Sequence, residues 1–340
     1  MVKIAIIGAG FSGLGFCYHL LNKRENHEVT LFDPKGVGGG ASGIASGLLH
    51  PYPGQSARLS WEGKKAMKAA VSLIDVASYA LGERVAHEGG ILRLALDEKQ
   101  EKTFQEKAAE EDDLEWWEAE KCQERVKGAH FCPGIFIRSG LTVHPHLYLK
   151  GLWKACEHLG AHFEKKAAIV EDLTSFDQVI VAAGSGIQKL KECQDLGITY
   201  NKGQLLECQK PSYFNPGFSV IGKGYLALSK DQGKCYLGST YEHEFLTEKP
   251  CLGTATEEIF SRVGKFLPSY GSFKPTQCLT GVRATNQKTY LPVVGRLKDN
   301  LWVLTAMGSR GLLYHSFMGE KLAAAISNND EALIPERVRV

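Results

Sequence analysis

The first 22 residues constrain the fold of this chain more than any other segment. Val2–Ile7 is a short run rich in β-branched residues, which is typical of a buried parallel strand. Residues 8–13 read GAGFSG and fit the pattern GxGxxG. A helix is expected over about Ser12–Asn22. This order of strand, glycine turn and helix predicts the start of a dinucleotide-binding β-α-β unit.

Each glycine of the motif has its own physical reason. Gly8 permits the tight turn, Gly10 lets the backbone approach a pyrophosphate, and Gly13 lets the helix pack close to the strand. The first amides of the helix then favour the negative charge of a phosphate. We therefore expect a cofactor to contact these three glycines together with Phe11 and Ser12. The alternative is a plain strand-turn-helix without a ligand.

An acidic residue at the expected spacing supports cofactor binding. A second strand, Glu28–Phe32, ends in Asp33, which lies 20 residues beyond Gly13. A carboxylate at this spacing binds the ribose 2′-hydroxyl of an adenosine. The alternative places Asp33 in a surface turn before Pro34. Strand, glycines, helix, strand and acid all occur in order, so binding is favoured, although the motif alone does not distinguish FAD from NAD.

A glycine-rich loop follows this unit. Residues 36–50 contain six glycines among fifteen residues. Such a loop exposes backbone N–H groups and small hydroxyls, which suit a long, phosphate-bearing cofactor. The residues of this loop that are predicted to contact the cofactor are Gly40, Ala41, Ser42, Gly47 and Leu48. The alternative is a flexible linker.

Composition narrows the class of protein. The 340 residues include 40 Lys and Arg against 38 Asp and Glu, which gives a net charge of +2. A dedicated nucleic-acid binder usually has a basic excess, so this balance argues against one. Hydrophobic residues make up 44% and charged residues 23%, close to ordinary globular usage, which excludes a disordered or fibrous chain. The length predicts roughly two domains.

The cysteines and the hydropathy pattern indicate the cellular compartment in which the protein is expected. Nine cysteines are scattered singly, with no CxxC pair and no signal peptide before them, which predicts reduced thiols in a cytoplasmic protein. No apolar run approaches the ~20 residues of a membrane span. His144 and His146 flank Pro145 with no third ligand nearby, so we expect no metal site.

The motif residues and several later segments resemble the D-amino-acid oxidase superfamily of FAD enzymes. This superfamily includes glycine oxidase, sarcosine oxidase and the FAD domain of the bifunctional bacterial enzyme that matures 5-methylaminomethyl-2-thiouridine in tRNA. The later segments that carry the resemblance are Gln178–Gly184, Lys202–Leu205, Gly281–Arg283, Leu291–Gly295 and Met307–Leu312. The resemblance spans nearly the whole chain in the right order.

The pattern along the chain and the resemblance together predict an α/β fold with α+β elements. A discontinuous, Rossmann-like FAD-binding domain of β-α-β type is expected over residues 1–58, 135–202 and 280–340. A substrate domain built on a mixed or antiparallel sheet is expected over residues 59–134 and 203–279.

Several local elements are predicted within these domains. Residues 59–125 are expected to be helical, and residues 167–170 to form a strand. Alternating stretches at 205–209, 225–229 and 235–240 predict antiparallel strands.

The resemblance implies bound FAD, and non-covalent attachment is predicted because the nearest late cysteine, Cys278, lies outside the last glycine turn. In the superfamily this turn opens the final helix and faces the flavin pyrimidine, where negative charge accumulates on reduction. The alternative is ordinary helix capping. The further predicted cofactor contacts are Val170, Ala183, Gly184, Gly308, Ser309, Arg310, Gly311 and Leu312.

Arg283 is the predicted substrate-binding residue. A guanidinium can make two parallel hydrogen bonds to a carboxylate, and superfamily members use an arginine in the GxR element in this way. The alternative is a surface salt bridge. Tyr225, Tyr241 and His50 are weaker candidates, because tyrosines on such strands serve at least as often as core aromatics.

The resemblance therefore implies an oxidoreductase that acts on a small amine or amino acid. Hydride passes from the carbon next to the amine to the flavin, and the resulting imine hydrolyses. One alternative is oxidation of the carboxymethylaminomethyl group of a tRNA wobble uridine, with tRNA as a partner. Two others are a non-catalytic dinucleotide-binding module and an NAD dehydrogenase. The oligomeric state is not specified by the sequence.

Overall fold

The computed structural model describes all residues from 1 to 340. The strands are β1 (Val2–Ile7), β2 (His27–Phe32), β3 (Leu48–Leu49), β4 (Ala86–His87), β5 (Ile91–Leu94), β6 (Leu114–Trp117), β7 (Gly134–Ile137), β8 (Leu141–Val143), β9 (His162–Glu164), β10 (Gln178–Val181), β11 (Ile198–Gln209), β12 (Ser219–Ile221), β13 (Tyr225–Leu228), β14 (Lys234–Gly238), β15 (Lys274–Asn286), β16 (Val293–Lys298) and β17 (Leu301–Thr305). The α-helices are α1 (Phe11–Leu21), α2 (Gly63–Leu81), α3 (Glu98–Glu110), α4 (Ala119–Arg125), α5 (Pro145–His158), α6 (Leu252–Val263) and α7 (Gly311–Asn328).

The first sheet contains six strands in the order β16-β17-β10-β1-β2-β9. Its pairs are parallel except β16–β17, which is antiparallel. The central strand β1 is buried on both faces from Ile4 to Ile7. Ile4 and Ile6 face a core shared with α1, α2, α5 and α7, and Ala5 and Ile7 face a second core. Burial on both faces explains the continuous apolar run at the N-terminus.

The second sheet contains eight strands in the order β15-β11-β14-β13-β12-β5-β7-β6. Its pairs are antiparallel except β5–β12, which is parallel, so the sheet is mixed. One face packs on a separate core that includes residues of α4 and α6. The predicted fold class, an α/β domain joined to a mixed-sheet domain, is confirmed. A small third sheet has the order β3-β8-β4.

Two elements differ from the predicted domain division. Helix α2 falls within the range 59–134 expected for the substrate domain, but its buried residues pack in the core beneath the first sheet. Strand β7 lies inside the range expected for the cofactor domain except for its first residue, Gly134, but it pairs with β5 and β6 in the second sheet. In both cases the element packs against apolar residues that it meets only in the folded protein. The order of elements along the chain does not reveal these contacts. The remaining boundaries stay a prediction.

Two local predictions were wrong. Residues 59–125 are not helical throughout, because β5 and β6 lie within them and pair on the second sheet. Residues 167–170 form no strand. Ile169 is exposed there, and a 3₁₀ turn begins at Val170, so the sheet edge is β9 instead.

None of the seven helices is both long enough and apolar enough to cross a membrane.

The helices beneath the first sheet pack closely at two glycines, Gly151 and Gly319. A Cβ atom added to Gly151 in α5 would lie 2.3 Å from the carbonyl oxygen of Ala77 in α2. A Cβ atom added to Gly319 in α7 would lie 2.8 Å from the backbone nitrogen of Phe16 in α1. The contacting atoms belong to the backbone, so neither helix can accommodate a methyl group without moving.

A pair of glycine-to-alanine substitutions tests this packing. Gly151→Ala is expected to lower the free energy of unfolding by about 1–3 kcal/mol, because the methyl group overpacks the α2–α5 contact. Gly253→Ala is the matched control, since Gly253 also lies in a helix and an added Cβ there meets no atom within 4 Å. The control should be neutral or slightly stabilising. Urea denaturation measures both, and equal stabilities would contradict the close packing.

Candidate active site

One elongated cavity lies between the two large sheets. The turns that follow β1, β2, β10 and β17 line one side of it, and the face of the second sheet lines the other. Ligands of open α/β sheets bind at this position, outside the carboxyl ends of the parallel strands. The predicted site residues that line it are Gly8, Gly10, Phe11, Ser12, Asp33, Gly40, Ala41, Ser42, Gly47, Leu48, His50, Ala183, Gly184, Tyr225, Tyr241, Arg283, Gly308, Ser309, Gly311 and Leu312.

Three predicted cofactor contacts do not line the cavity. Gly13 lies beneath the turn, where an added Cβ would be 1.9 Å from the carbonyl oxygen of Gly8, so it serves the packing of α1. Val170 packs against the core on the far face of the first sheet. Arg310 turns away and donates from Nη1 to the carbonyl oxygen of Tyr290 at 3.4 Å, which anchors the turn before α7.

The turn between β1 and α1 is held from two sides. Gly8 has a φ of +113°, and an added Cβ would lie 2.3 Å from the carbonyl oxygen of Ala182, so no other residue fits there. The carboxylate of Asp33 accepts from the amide of Ala9 at 3.0 Å and from the amide of Lys35 at 2.9 Å. These bonds fix Asp33 on the wall of the cavity.

The glycine-rich loop docks on the N-terminus of α1. The hydroxyl oxygen of Ser42 accepts from the amide of Phe11 at 3.0 Å. An added Cβ at Gly10 would lie 2.8 Å from that same oxygen, so the absence of a side chain permits the contact. The loop is therefore a tethered wall of the cavity rather than a free linker. Gly40 in this loop has no atom within 4 Å of an added Cβ.

A second helix N-terminus points at the cavity from the end of β17. A 3₁₀ turn over Gly308–Arg310 leads into α7, and no side chain caps that helix. Its first amides and the positive end of its dipole are therefore available to a negatively charged group. Nearby, Thr305 lines the cavity, although its hydroxyl oxygen is buried and has no hydrogen-bond partner in the protein. A buried polar group of this kind requires a partner from a ligand or water.

Arg283 lies over the floor formed by the second sheet. An added Cβ at Gly203 would be 2.4 Å from its Nη2 atom, so the guanidinium rests against the backbone of β11. Its Cζ atom is 5.8 Å from the ring centre of Tyr241. No carboxylate of the chain forms a salt bridge with it. Burial raises the pKa of Tyr225, although the charge of Arg283 opposes this effect, so the phenol stays protonated.

His50 and Arg93 are both held by the backbone of Tyr52. The Nδ1 atom of His50 accepts from the amide of Tyr52 at 3.3 Å, and Nη1 of Arg93 donates to the carbonyl oxygen of Tyr52 at 3.0 Å. Burial and then the positive charge of Arg93 lower the pKa of His50 to about 3. The imidazole is therefore neutral, and because Nδ1 accepts a hydrogen bond, the ring proton is on Nε2.

The family model described as FAD dependent oxidoreductase, DAO, matches residues 3–325. The chain belongs to the DAO family of FAD-dependent oxidoreductases. The predicted family, the FAD cofactor and the enzyme class are thereby confirmed, and an NAD dehydrogenase and a non-catalytic module are set aside. The residues of the cavity fit FAD, because two helix N-termini and a fixed carboxylate line one continuous channel. Non-covalent attachment stays a prediction.

Known relatives share this family. The chain is 25% identical over 354 residues to a glycine oxidase of Bacillus licheniformis, covering 95% of this chain and 92% of that protein. It is also 25% identical over 377 residues to a tRNA 5-methylaminomethyl-2-thiouridine biosynthesis bifunctional protein of Polaromonas naphthalenivorans. That match covers 95% of this chain and 56% of the relative, so the chain spans about half of the relative's length. The crystal structure of glycine oxidase from Geobacillus kaustophilus superposes with a TM-score of 0.83 at 18% identity, covering 97% and 96% of the two chains.

Sequence reasoning missed two cavity residues with distinctive surroundings. Arg93 stands alone among apolar neighbours in the segment ILRLAL, and a lone charge in a buried strand was a usable signal. Thr305 ends the apolar strand β17 and carried no such signal, because a threonine is common in any strand.

Two aspartates provide a matched test of the cofactor site. Asp33→Ala is expected to weaken FAD binding by roughly 10- to 100-fold, since a charged hydrogen-bond acceptor is worth about 1.5–3 kcal/mol. Asp177→Ala is the control, because Asp177 also accepts from a backbone amide, that of Lys3 at 2.7 Å, but does not line the cavity. Titration of apoprotein with FAD, followed by flavin fluorescence, gives both dissociation constants. Equal constants for the two variants would contradict the role of Asp33.

Proposed function

We propose that this enzyme oxidises the carbon–nitrogen bond of a small amine or amino acid that carries a carboxylate. The observation that carries the proposal is the position of Arg283. Its guanidinium lies on the cavity floor, opposite the residues that fit FAD, and has no carboxylate partner in the chain. A planar guanidinium placed in this way can bind a substrate carboxylate through two parallel hydrogen bonds.

The chain's own residues then orient the substrate. Arg283 holds the carboxylate, and the protonated hydroxyl of Tyr225 is a second donor on the same floor. Tyr241 is 40% exposed, which places its ring at the mouth of the cavity, beside the guanidinium. FAD, when bound, supplies the acceptor for the hydride that leaves the carbon next to the amine. The uncapped N-terminus of α7 would present a positive potential to the bound cofactor, which suits the negative charge that a flavin gains on reduction.

No side chain that we place on the cavity floor is a ready general base, and the carboxylate of Asp33 on the opposite wall accepts from the amides of Ala9 and Lys35. His50 is neutral, but its Nε2 atom carries the proton, so it donates rather than accepts on that side. The substrate amine therefore has to enter in its neutral form. This requirement predicts activity that rises with pH as the amine loses its proton.

A second candidate substrate is the carboxymethylaminomethyl group of a tRNA wobble uridine. A polar cavity lined by Lys223, Arg262 and Lys265 adjoins the catalytic cavity, and basic groups beside an active site favour a polyanion. The tRNA-modifying relative supports this candidate over only about half of its own length. The carboxylate of this group would also suit Arg283.

Anaerobic mixing separates the two candidates. The FAD-loaded protein is mixed with glycine, N-methylglycine, D-amino acids and hypomodified tRNA, and loss of the flavin absorbance is recorded. We expect bleaching by a small amine. Bleaching by tRNA alone would overturn the first candidate and support the second, and no bleaching by any amine would contradict both.

All nine cysteines are free, and seven of them are buried. We propose on this basis that the protein resides in a reducing compartment, the cytoplasm, since disulfide-bonded cysteines are the usual mark of an oxidising one.

Substitution of Arg283 tests the carboxylate role. Arg283→Leu is expected to raise KM for the amine substrate by roughly 100-fold, which corresponds to loss of about 3 kcal/mol from a charged bidentate pair. The dissociation constant of FAD should change little. Arg283→Lys serves as the matched control and should recover part of the loss, because a point charge replaces the planar fork. An unchanged KM in Arg283→Leu would remove this residue from the substrate site.

The pH dependence tests the neutral state of His50. Its pKa of about 3 lies far below the working range, so the acidic limb of kcat/KM is expected to report the substrate amine. The limb should therefore keep the same midpoint in wild-type enzyme and in His50→Asn, whatever the change in absolute rate. A midpoint that moves in the variant would show that His50 titrates in the active enzyme.

A further inference from the structure

A buried arginine at the far end of the cavity has no role in the function proposed above. Arg93 lies in β5 with only 8% of its surface exposed. Its single hydrogen bond in the protein joins Nη1 to the carbonyl oxygen of Tyr52 at 3.0 Å, and its guanidinium carbon lies 5.5 Å from the ring centre of Phe104. No carboxylate forms a salt bridge with it.

An unpaired buried charge is expensive to keep. Removing a guanidinium from water without an anionic partner costs free energy that folding alone does not recover. Burial lowers the pKa of Arg93 to about 10, so the group still carries its charge at neutral pH. Each of its nitrogen atoms either forms a hydrogen bond or is accessible to solvent. The nitrogen atoms that form no bond in the protein are therefore accessible from a cavity, where a ligand can reach them.

Arg93 and Arg283 lie at opposite ends of one floor. Arg93 pairs with Ile221, which pairs with Tyr225, and all three line the catalytic cavity. Arg283 rests on Gly203 in β11, four strands away from β5 in the sheet. Strands are spaced by about 4.8 Å, so β5 and β11 are separated by about 19 Å along the sheet. The long side chains of Arg93 and Arg283 both line the cavity over this part of the sheet.

The end near Arg93 opens on a basic surface. Arg93 lines both the catalytic cavity and the adjoining polar cavity that contains Lys223 and Lys265. Neither lysine forms a salt bridge, whereas Arg262 beside them is already paired with Glu258 at 2.6 Å. Arg93, Lys223 and Lys265 thus place unpaired positive charge around the adjoining cavity, which favours the approach of an anion.

We propose that Arg93 binds a second anionic group of the substrate. On this basis the substrate is an amine with a carboxylate at the reacting end, held by Arg283, and a second carboxylate or a phosphate at the other end. This inference rests on the proposed function for the role of Arg283. It narrows the proposed substrates to amines with two anionic groups, because a monocarboxylic amine such as glycine would leave Arg93 without a partner.

A length series of inert ligands tests the second anion site. The FAD-loaded protein is titrated calorimetrically with α,ω-dicarboxylates from succinate to sebacate and with the monocarboxylate of equal length in each case. We expect one chain length at which the dicarboxylate binds at least about tenfold more tightly, the effect of a single charged pair worth about 1.4 kcal/mol. The ω-phosphonocarboxylate of that length then shows whether carboxylate or phosphate is preferred.

Variants assign the preference to Arg93. In Arg93→Gln the dicarboxylate and monocarboxylate are expected to bind equally, with the monocarboxylate constant unchanged. Arg93→Lys should retain part of the preference, and it also serves if the glutamine variant does not fold. Arg84→Gln is the control for loss of one positive charge, since Arg84 is exposed and lines neither cavity. It should leave the preference intact.

Two results would overturn the proposal: no preference at any length in the wild-type protein, or a preference that persists in Arg93→Gln. Failure of the proposed function has a different signature. Monocarboxylates then show no binding that depends on Arg283, and the amine panel leaves the flavin oxidised. A dicarboxylate preference that is lost in Arg93→Gln would support the anion site even in that case.

Discussion

The turn between β1 and α1 contacts the ends of three neighbouring segments, and these contacts position the cofactor side of the cavity. Gly8 touches the strand end at Ala182, Asp33 accepts from the amide of Ala9, and Ser42 accepts from the amide of Phe11. These contacts join the ends of three elements at one edge of the first sheet. They therefore fix both the direction of the α1 N-terminus and the wall of the cavity that receives the cofactor.

The second sheet completes the site by supplying charge rather than shape alone. The first sheet presents amides, helix dipoles and one carboxylate, whereas the floor presents Arg283, Tyr225 and Arg93. His50 is kept neutral beside Arg93, so the positive charge of the floor is confined to guanidinium groups. This division separates the part of the site that fits FAD from the part that would select the substrate, which agrees with a family in which one fold accepts many substrates.

Prediction from the sequence succeeded where the structure of a segment is caused by the residues of that same segment. Strand β1 and the turn after it follow from an apolar run and from glycines whose added Cβ atoms would collide with backbone. The prediction was wrong for residues 59–125, where β5 and β6 interrupt a charged, helix-like stretch. Those strands are stabilised by partners distant in the chain, β12 and β7, which no local pattern displays.

The sequence alone was enough to predict the family, the cofactor and half of the residues that line the cavity, because short-range motifs impose backbone geometry directly. The folded chain was needed to show that Gly13, Val170 and Arg310 lie outside the cavity. It alone brought Arg93 onto the same floor as Arg283. The physical reason is that strand pairing across the second sheet joins residues nearly 200 positions apart, and the electrostatics of the site arise from that pairing.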